Sequence, residues 1–439
     1  MKKSILLFAV LFTAFSSYAQ LRPGDKTGIN VFEAPKSDEE FEHLKIEFGG
    51  GFTAAFQALD HENKSTTDAT KLMDLTGGFA NPAANLGIKA YLSDGITLNM
   101  DVYLAERHHH DTWVKGGFIQ IDKVPFIKWD LLDLLMNFTT VKLGQFDVNY
   151  GDAHFRRSDG GNSIQNPFIE NYILDAFATE MGAEIDLRLN HLLASVSLTN
   201  GMLNPELTKL RPAANSKSNG KRNPSFIAKL GYDNQFTDDF RFRITGSIYT
   251  TKGSGSNTLY AGDRTGSHYF GVMDPYFATF NADGTGATTN STSAESPSTS
   301  GRYAPGYGDK VTAMMGNLFL KYKGLELFGT LESAKGRGLN EQEERKTSQL
   351  AGDLIYRFGS SENFYIGGRY NTVKSRPSGA AFTEDVTINR IAVAAGWFPT
   401  KNLLTKIEYV NQEYKDYPTT NIMNGGKFNG VVFEAVIGF

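Results

Sequence analysis

The sequence predicts an all-β chain: a closed antiparallel transmembrane β-barrel of about 16 strands. Three observations predict it. Between His43 and Phe439, short segments carry apolar residues at every second position. Long polar connections alternate with tight turns along the whole of that stretch. No cysteine and no long apolar helix interrupts the pattern. A strand needs only ~9–11 residues to cross a bilayer. Such a wall tolerates lipid only when closed, because an open edge strands backbone N–H and C=O groups in hydrocarbon.

Residues 1–19 read as a secretory signal peptide. Lys2 and Lys3 form a basic start, Ile5 to Phe15 an apolar run too short to span, and Ser17-Tyr18-Ala19 a small-x-small cleavage site before Gln20. The formal charge of the full sequence is −4, and cleavage removes two lysines, so the mature chain is more acidic still. That balance argues against a nucleic-acid partner. Zero Cys in 439 residues fits an exported chain without disulfides or thiolate metal sites. A barrel turns apolar residues to lipid and polar ones to its lumen, so a mean hydropathy of −0.32 is compatible with it.

Residues 20–42 carry Pro23, Gly24, Pro35 and the acidic run Asp38-Glu39-Glu40, and are expected to form an extended periplasmic arm. The barrel is expected over 43–439. Its first strand sets Leu44, Ile46, Phe48, Phe52, Ala54 and Phe56 on one face and Lys45, Glu47, Thr53 and Gln57 on the other. Further on, Ile96, Leu98, Met100, Val102 and Leu104 oppose Thr97, Asn99, Asp101 and Tyr103. Met181, Ala183, Ile185 and Leu187 oppose Glu180, Glu184, Asp186 and Arg188. Phe242, Ile244 and Ile248 oppose Arg241, Arg243, Thr245 and Ser247. Period 2 marks strands, since successive side chains point to opposite faces.

A soluble sandwich alternates in the same way, and the connections separate the two. If the first strand rises from the periplasm, the odd connections are external, and nearly all are longer than the even ones. Lys252–Lys310 and Gly151–Thr179 contrast with Ser93-Asp94-Gly95, Asn190 and Lys323-Gly324. Outer-membrane barrels sort their loops this way. One even connection departs from the rule. Between Phe126 and Phe138, Trp129, Leu131, Leu132, Leu134, Leu135 and Met136 predict a short amphipathic helix at the periplasmic rim. The last strand, Lys427 to Phe439, alternates and ends on an aromatic, similar to the signal read by barrel assembly machinery.

The stretch Val141-Lys142-Leu143-Gly144-Gln145-Phe146, followed by Asp147-Val148-Asn149-Tyr150-Gly151, resembles a block of the phosphate-selective porin O and P family. The resemblance implies a 16-stranded porin, usually a homotrimer, for passive uptake of small solutes in a Gram-negative outer membrane. It also implies that the following loop folds into the lumen. Here that loop carries Asp152, His154, Arg156, Arg157 and Asp159. No ladder of basic residues comparable to the phosphate specialists is present, which argues against phosphate selectivity.

Selectivity depends on the side chains at the narrowest point of a pore. Two roles fit Arg156 and Arg157. They attract anions at a wet constriction, or they pair with Asp152, Asp159 or lumen acids and hold the loop. Lys142, Arg188, Arg241 and Arg243 face the expected inside together with several acids, predicting a mixed, weakly selective pore. His108-His109-His110 cannot converge on one strand face and reads as a solvated loop tip. The loop Lys252–Lys310 is Gly/Ser/Thr-rich and expected to be flexible, with Tyr260, Tyr269, Phe270, Tyr276 and Phe277 packing on the barrel or stacking on sugars. An enzyme is disfavoured. His191 and Ser195 share a strand face but sit ~13 Å apart by strand rise, and no catalytic motif appears. No cofactor is implied. The expected function is passive diffusion of small hydrophilic solutes or ions. The alternatives are a transporter of apolar solutes and a non-conducting structural or adhesive barrel.

Overall fold

The computed structural model describes residues 22–439 except positions 35, 37–40, 65–66, 68–69, 81, 105–111, 159–161, 262–266, 276, 281–286 and 291–299. The signal peptide, His108 to His110, Asp159 and Tyr276 therefore lie outside the described residues. Sixteen long strands follow one another. They are β1 (Lys45–Glu62), β2 (Ala83–Ser93), β3 (Ile96–Leu104), β4 (Thr112–Ile121), β5 (Thr139–Asp147), β6 (Thr179–Leu189), β7 (Leu192–Thr199) and β8 (Ser225–Thr237). Then come β9 (Phe240–Thr251), β10 (Lys310–Tyr322), β11 (Leu325–Arg337), β12 (Arg345–Phe358), β13 (Phe364–Ser375), β14 (Val386–Thr400), β15 (Leu403–Lys415) and β16 (Lys427–Gly438).

Each strand pairs antiparallel with the next, and the first closes on the last. The lower part of β1 pairs with β2, from Lys45 opposite Tyr91 to Thr53 opposite Ala83. Its upper part pairs with β16, from Gly51 opposite Gly438 to Glu62 opposite Lys427. Closure leaves no unpaired edge, which is the condition for crossing lipid. Gly78–Phe79 adds a two-residue pairing to β1, and Phe277–Phe280 pairs with Ala287–Asn290 in a separate small hairpin.

Side-chain alternation decides the faces as expected. In β9, Arg243 is 1% exposed and its neighbour Ile244 is 48% exposed. In β16, Glu434 is buried, while Phe433 and Ile437 point outward. Connections sort as well. Six of the seven connections at one end run two to five residues, whereas every connection at the other end runs seven or more. The exception is the expected one, which holds a helix, α1 (Asp130–Met136). Only Met136 of α1 is buried, and Leu131, Leu134 and Leu135 are exposed. The C-terminus lies at the turn end, where Phe439 and Gly50 exchange both backbone hydrogen bonds.

The core lies inside the cylinder. The described residues of 148–178 enter the lumen, and so do the segments of the connection between β9 and β10 that carry Leu259, Tyr260, Tyr269 and Val272. Tyr150, Ile169, Ile173 and Leu174 of the first loop and Leu259, Tyr260, Tyr269 and Val272 of the second share one apolar cluster with inward Ile227, Val311, Val373, Val410 and Val432. The Gly/Ser/Thr-rich loop expected to be flexible is thus packed over much of its described length. Its Tyr260 and Tyr269 donate to Glu332 and Glu408 on the inner wall.

The N-terminal arm is placed differently from the sequence expectation of a segment outside the barrel. Residues 22–34 lie within the turn end of the lumen. Lys26 donates to the Lys401 carbonyl, Asn30 Nδ2 donates to Glu326 at 2.7 Å, and Phe32 packs with Phe319, Phe328 and Ala351. Burying Phe32 and pairing Glu33 with lumen cations outweighs solvation of a free arm. Proline and acid content alone do not reveal those partners.

Candidate pore and its lining

The in-folded loop begins where β5 runs out. Gly151 has φ +69°, and a Cβ there would meet Met315 Sδ at 2.1 Å. Only glycine lets the chain turn off the wall at that point. The turn is pinned at once: the Gly151 N–H donates to Ser247 Oγ at 2.9 Å and the Asp152 N–H to Asn317 Oδ1 at 2.8 Å. Beyond it, inward side chains of the far wall hold the loop backbone. Arg369 donates to the Glu170 carbonyl at 2.6 Å, Arg390 to Asn171 at 2.7 Å, and Lys406 to Phe168 at 3.0 Å. Asn371 and Gln349 accept from the N–H groups of Ile173 and Leu174.

The residues expected at the constriction fall into three groups. Arg156 and Arg157 are both buried and both paired. Arg156 meets Glu326 at 2.6 Å, and Arg157 grips Asp175 with two hydrogen bonds of 2.6 and 2.9 Å while stacking 3.9 Å over Phe177. These contacts hold the loop in place. The second group is a cluster around Asp152. Arg243 donates to it twice, at 2.8 and 2.9 Å, and Lys229 reaches it at 2.6 Å. Arg243 also meets Asp233 at 3.0 Å, and Arg241 holds Asp233 with two bonds. Burial would raise the Asp152 carboxyl, but Lys229 and Arg243 override it and hold the group at about 2. Neighbouring His154 is lowered as well, by burial and by Lys229, to about 3, so its imidazole is neutral.

Lys142 and Arg188 form the third group. They border a cavity of about 420 Å³ at the turn end, between the arm and the inner faces of β3 to β7. Lys142 pairs with Glu184 and Asp186, both at 2.8 Å. Arg188 donates to the Glu33 carbonyl at 3.0 Å. Four cationic residues (Arg22, Lys36, Lys142, Arg188) and four acids (Glu33, Asp101, Asp147, Asp186) line this space, with the amides of Gln120, Gln145 and Asn149. Ser195 also lines it, and its buried hydroxyl has no hydrogen-bond partner among the described residues. The wall is balanced in charge and interleaves these groups with the rings of Phe32, Phe118, Phe138, Phe146 and Phe155.

Two members of the site were not singled out from the sequence, Lys229 and Glu33. Lys229 shares parity with Ser225 and Ile227 in β8, and strand alternation alone puts it inside. Glu33 carries no such signal, because nothing local ties the arm to the lumen. Among the described residues no group of His, Cys, Asp and Glu fits a metal ion.

No known protein family matches the chain, and no curated protein matches it either. Solved structures do. The anion-selective porin from Comamonas acidovorans superimposes with a TM-score of 0.53 at 10% identity, covering 90% of this chain and 100% of that one. The outer membrane channel DcaP of Acinetobacter baumannii gives 0.51 at 10% identity over 91% and 99% of the two chains. OmpF of Salmonella typhi, in complex with daunomycin, gives 0.50 at 13% identity over 90% and 97%. At these identities the likeness establishes the fold, that of an outer-membrane barrel.

Proposed function

We propose that this chain is a weakly selective porin of a Gram-negative outer membrane, passing small hydrophilic solutes and ions passively. The closed wall carries the proposal: it is apolar outside, and inside it encloses a cavity whose charged lining is four cationic and four acidic residues. Any anion preference would come from Lys36 and Arg188 beside that cavity, since Lys142 is held between Glu184 and Asp186. Arg156 and Arg157 are each neutralised by a carboxylate. The resemblance to phosphate-selective porins supports a trimer, which sedimentation in detergent tests directly. We assign no catalytic role and no cofactor. Recognition of Phe439 by assembly machinery belongs to the same proposal, with Phe439→Ser expected to lower the yield of inserted barrel.

The deciding measurement is current across planar bilayers. A KCl gradient should give a cation/anion permeability ratio within about tenfold. Near-ideal selectivity would remove the balanced-pore reading. Liposome swelling with sugars of graded size should show a cutoff; no swelling with any sugar would favour a non-conducting barrel.

A further inference from the structure

The N-terminal arm fills a place in the lumen that combines buried cations with aromatic rings. Glu33 Oε1 lies 2.8 Å from Lys229 Nζ, and its Oε2 lies 2.8 Å from Arg243 Nη1. Phe32, beside it, is 3% exposed. Its ring meets Phe319 edge-on at 5.3 Å and Phe155 at 5.8 Å, and the Arg243 guanidinium sits 4.3 Å from its centroid. The cations Lys229, Arg241 and Arg243 face the acids Asp152 and Asp233, and among the described residues Glu33 completes the balance. Without it one buried positive charge is uncompensated, which a low-dielectric site does not tolerate. Whatever replaces the arm must therefore bring an anion to Lys229 and Arg243 and an aromatic ring to the Phe155–Phe319 pocket.

The arm is also imperfectly held. Arg22 is half-buried close to Arg156; it donates to the Gly28 and Phe155 carbonyls, and its Nη2 has no hydrogen-bond partner among the described residues. Burial and that like charge lower its pKa to about 9. The docked arm thus holds a half-buried cation near a like charge, a repulsion that release would relieve. Phe32 and Glu33 both border the 420 Å³ cavity, so a solute in the cavity reaches the site directly.

We propose that residues 22–34 are an exchangeable occupant of a binding site for aryl carboxylates, in which Phe32 and Glu33 stand where the solute's ring and carboxylate sit. The solute displaces the arm and opens the turn end of the lumen. The solute's route rests on the porin reading; the site itself does not.

The chain has no native cysteine, so a single one reports the arm cleanly. Asn30 is buried against Glu326. In an Asn30→Cys protein reconstituted in detergent, maleimide labelling should be slow. Adding 3-phenylpropionate should speed it at least about fivefold, and 3-phenylpropanol should not. Adding Glu33→Gln to Asn30→Cys should give fast labelling without any solute. Equal rates with and without 3-phenylpropionate would overturn the proposal, as would equal acceleration by the alcohol. The solute comparison leaves Glu33 native, so it decides even if the double variant folds poorly. Labelling that responds in a protein carrying no current would sink the porin reading and leave the site standing. Current with unresponsive labelling would sink the site alone.

Discussion

Arg369 and Asp353 show what a buried charge does inside this wall. Both lie on inward faces of neighbouring strands, joined by two hydrogen bonds of 2.7 and 2.9 Å, and Arg369 also holds the Glu170 carbonyl. Removing one partner leaves the other buried and unpaired. Arg369→Met should therefore cost about 3 kcal/mol, read as a lower urea midpoint for barrel unfolding in detergent. Glu33 makes a second case. Burial alone would raise its carboxyl, but Lys229 and Arg243 hold it well below its ordinary value. A carboxyl depressed in the docked state stabilises docking above its free pKa of about 4.3 and loses that contribution only as pH falls through the lower docked value. Lys229, Arg243, Asp152 and neutral His154 surround it. Because maleimide reacts with the thiolate, the rate is compared with that of an unstructured thiol at each pH, and Asn30→Cys should therefore stay equally protected from pH 7.5 to pH 5. Loss of protection over that range would mean that the Lys229–Arg243 pairing does not hold the arm. At this scale the sequence was ambiguous. It named Arg156 and Arg157 as charges of the loop, but their partners Glu326 and Asp175 lie 170 and 18 residues away. No local pattern chooses between a free and a paired guanidinium.

Gly151 and α1 carry the argument at the level of elements. Gly151 is where a strand becomes a lumen loop, and its positive φ and the contact with Met315 exclude a side chain. Gly151→Ala should cost about 2 kcal/mol and expose residues 152–158 to protease. Gly246→Ala is the matching control: a Cβ there meets nothing within 4 Å, so stability should be unchanged. The helix α1 exposes Leu131, Leu134 and Leu135, with Trp129 just before it 55% exposed. Apolar exposure on a helix at the rim of a barrel suits the bilayer interface. In a Trp113→Phe, Trp397→Phe protein, lipids brominated near the headgroup should quench Trp129 fluorescence. Quenching by aqueous iodide alone would place α1 in water. Strand positions and α1 were legible because alternation and helical spacing are local signals. The inserted second loop was not, because Gly, Ser and Thr fit a flexible loop and a tightly packed one equally well.

For the whole molecule, the apolar belt dictates behaviour in solution. Leu230 is 68% exposed and Leu331 is 64% exposed, on faces that no part of the described chain covers. The mature protein should stay monodisperse only in detergent or lipid. In sodium dodecyl sulfate it should migrate faster unheated than boiled, and identical migration would argue against the closed barrel. The cylinder, its two ends and its two chemically distinct faces were determined by sequence alone, through residue parity and loop length, each read over a few neighbouring positions. What fills the cylinder was decided only by tertiary structure. The docking of residues 22–34, the folding-in of the loop after β9, and the pairing of Arg156, Arg243 and Glu33 all join positions far apart in the chain. Their energies arise from burial and charge neutralisation, which exist only once the wall has closed around them.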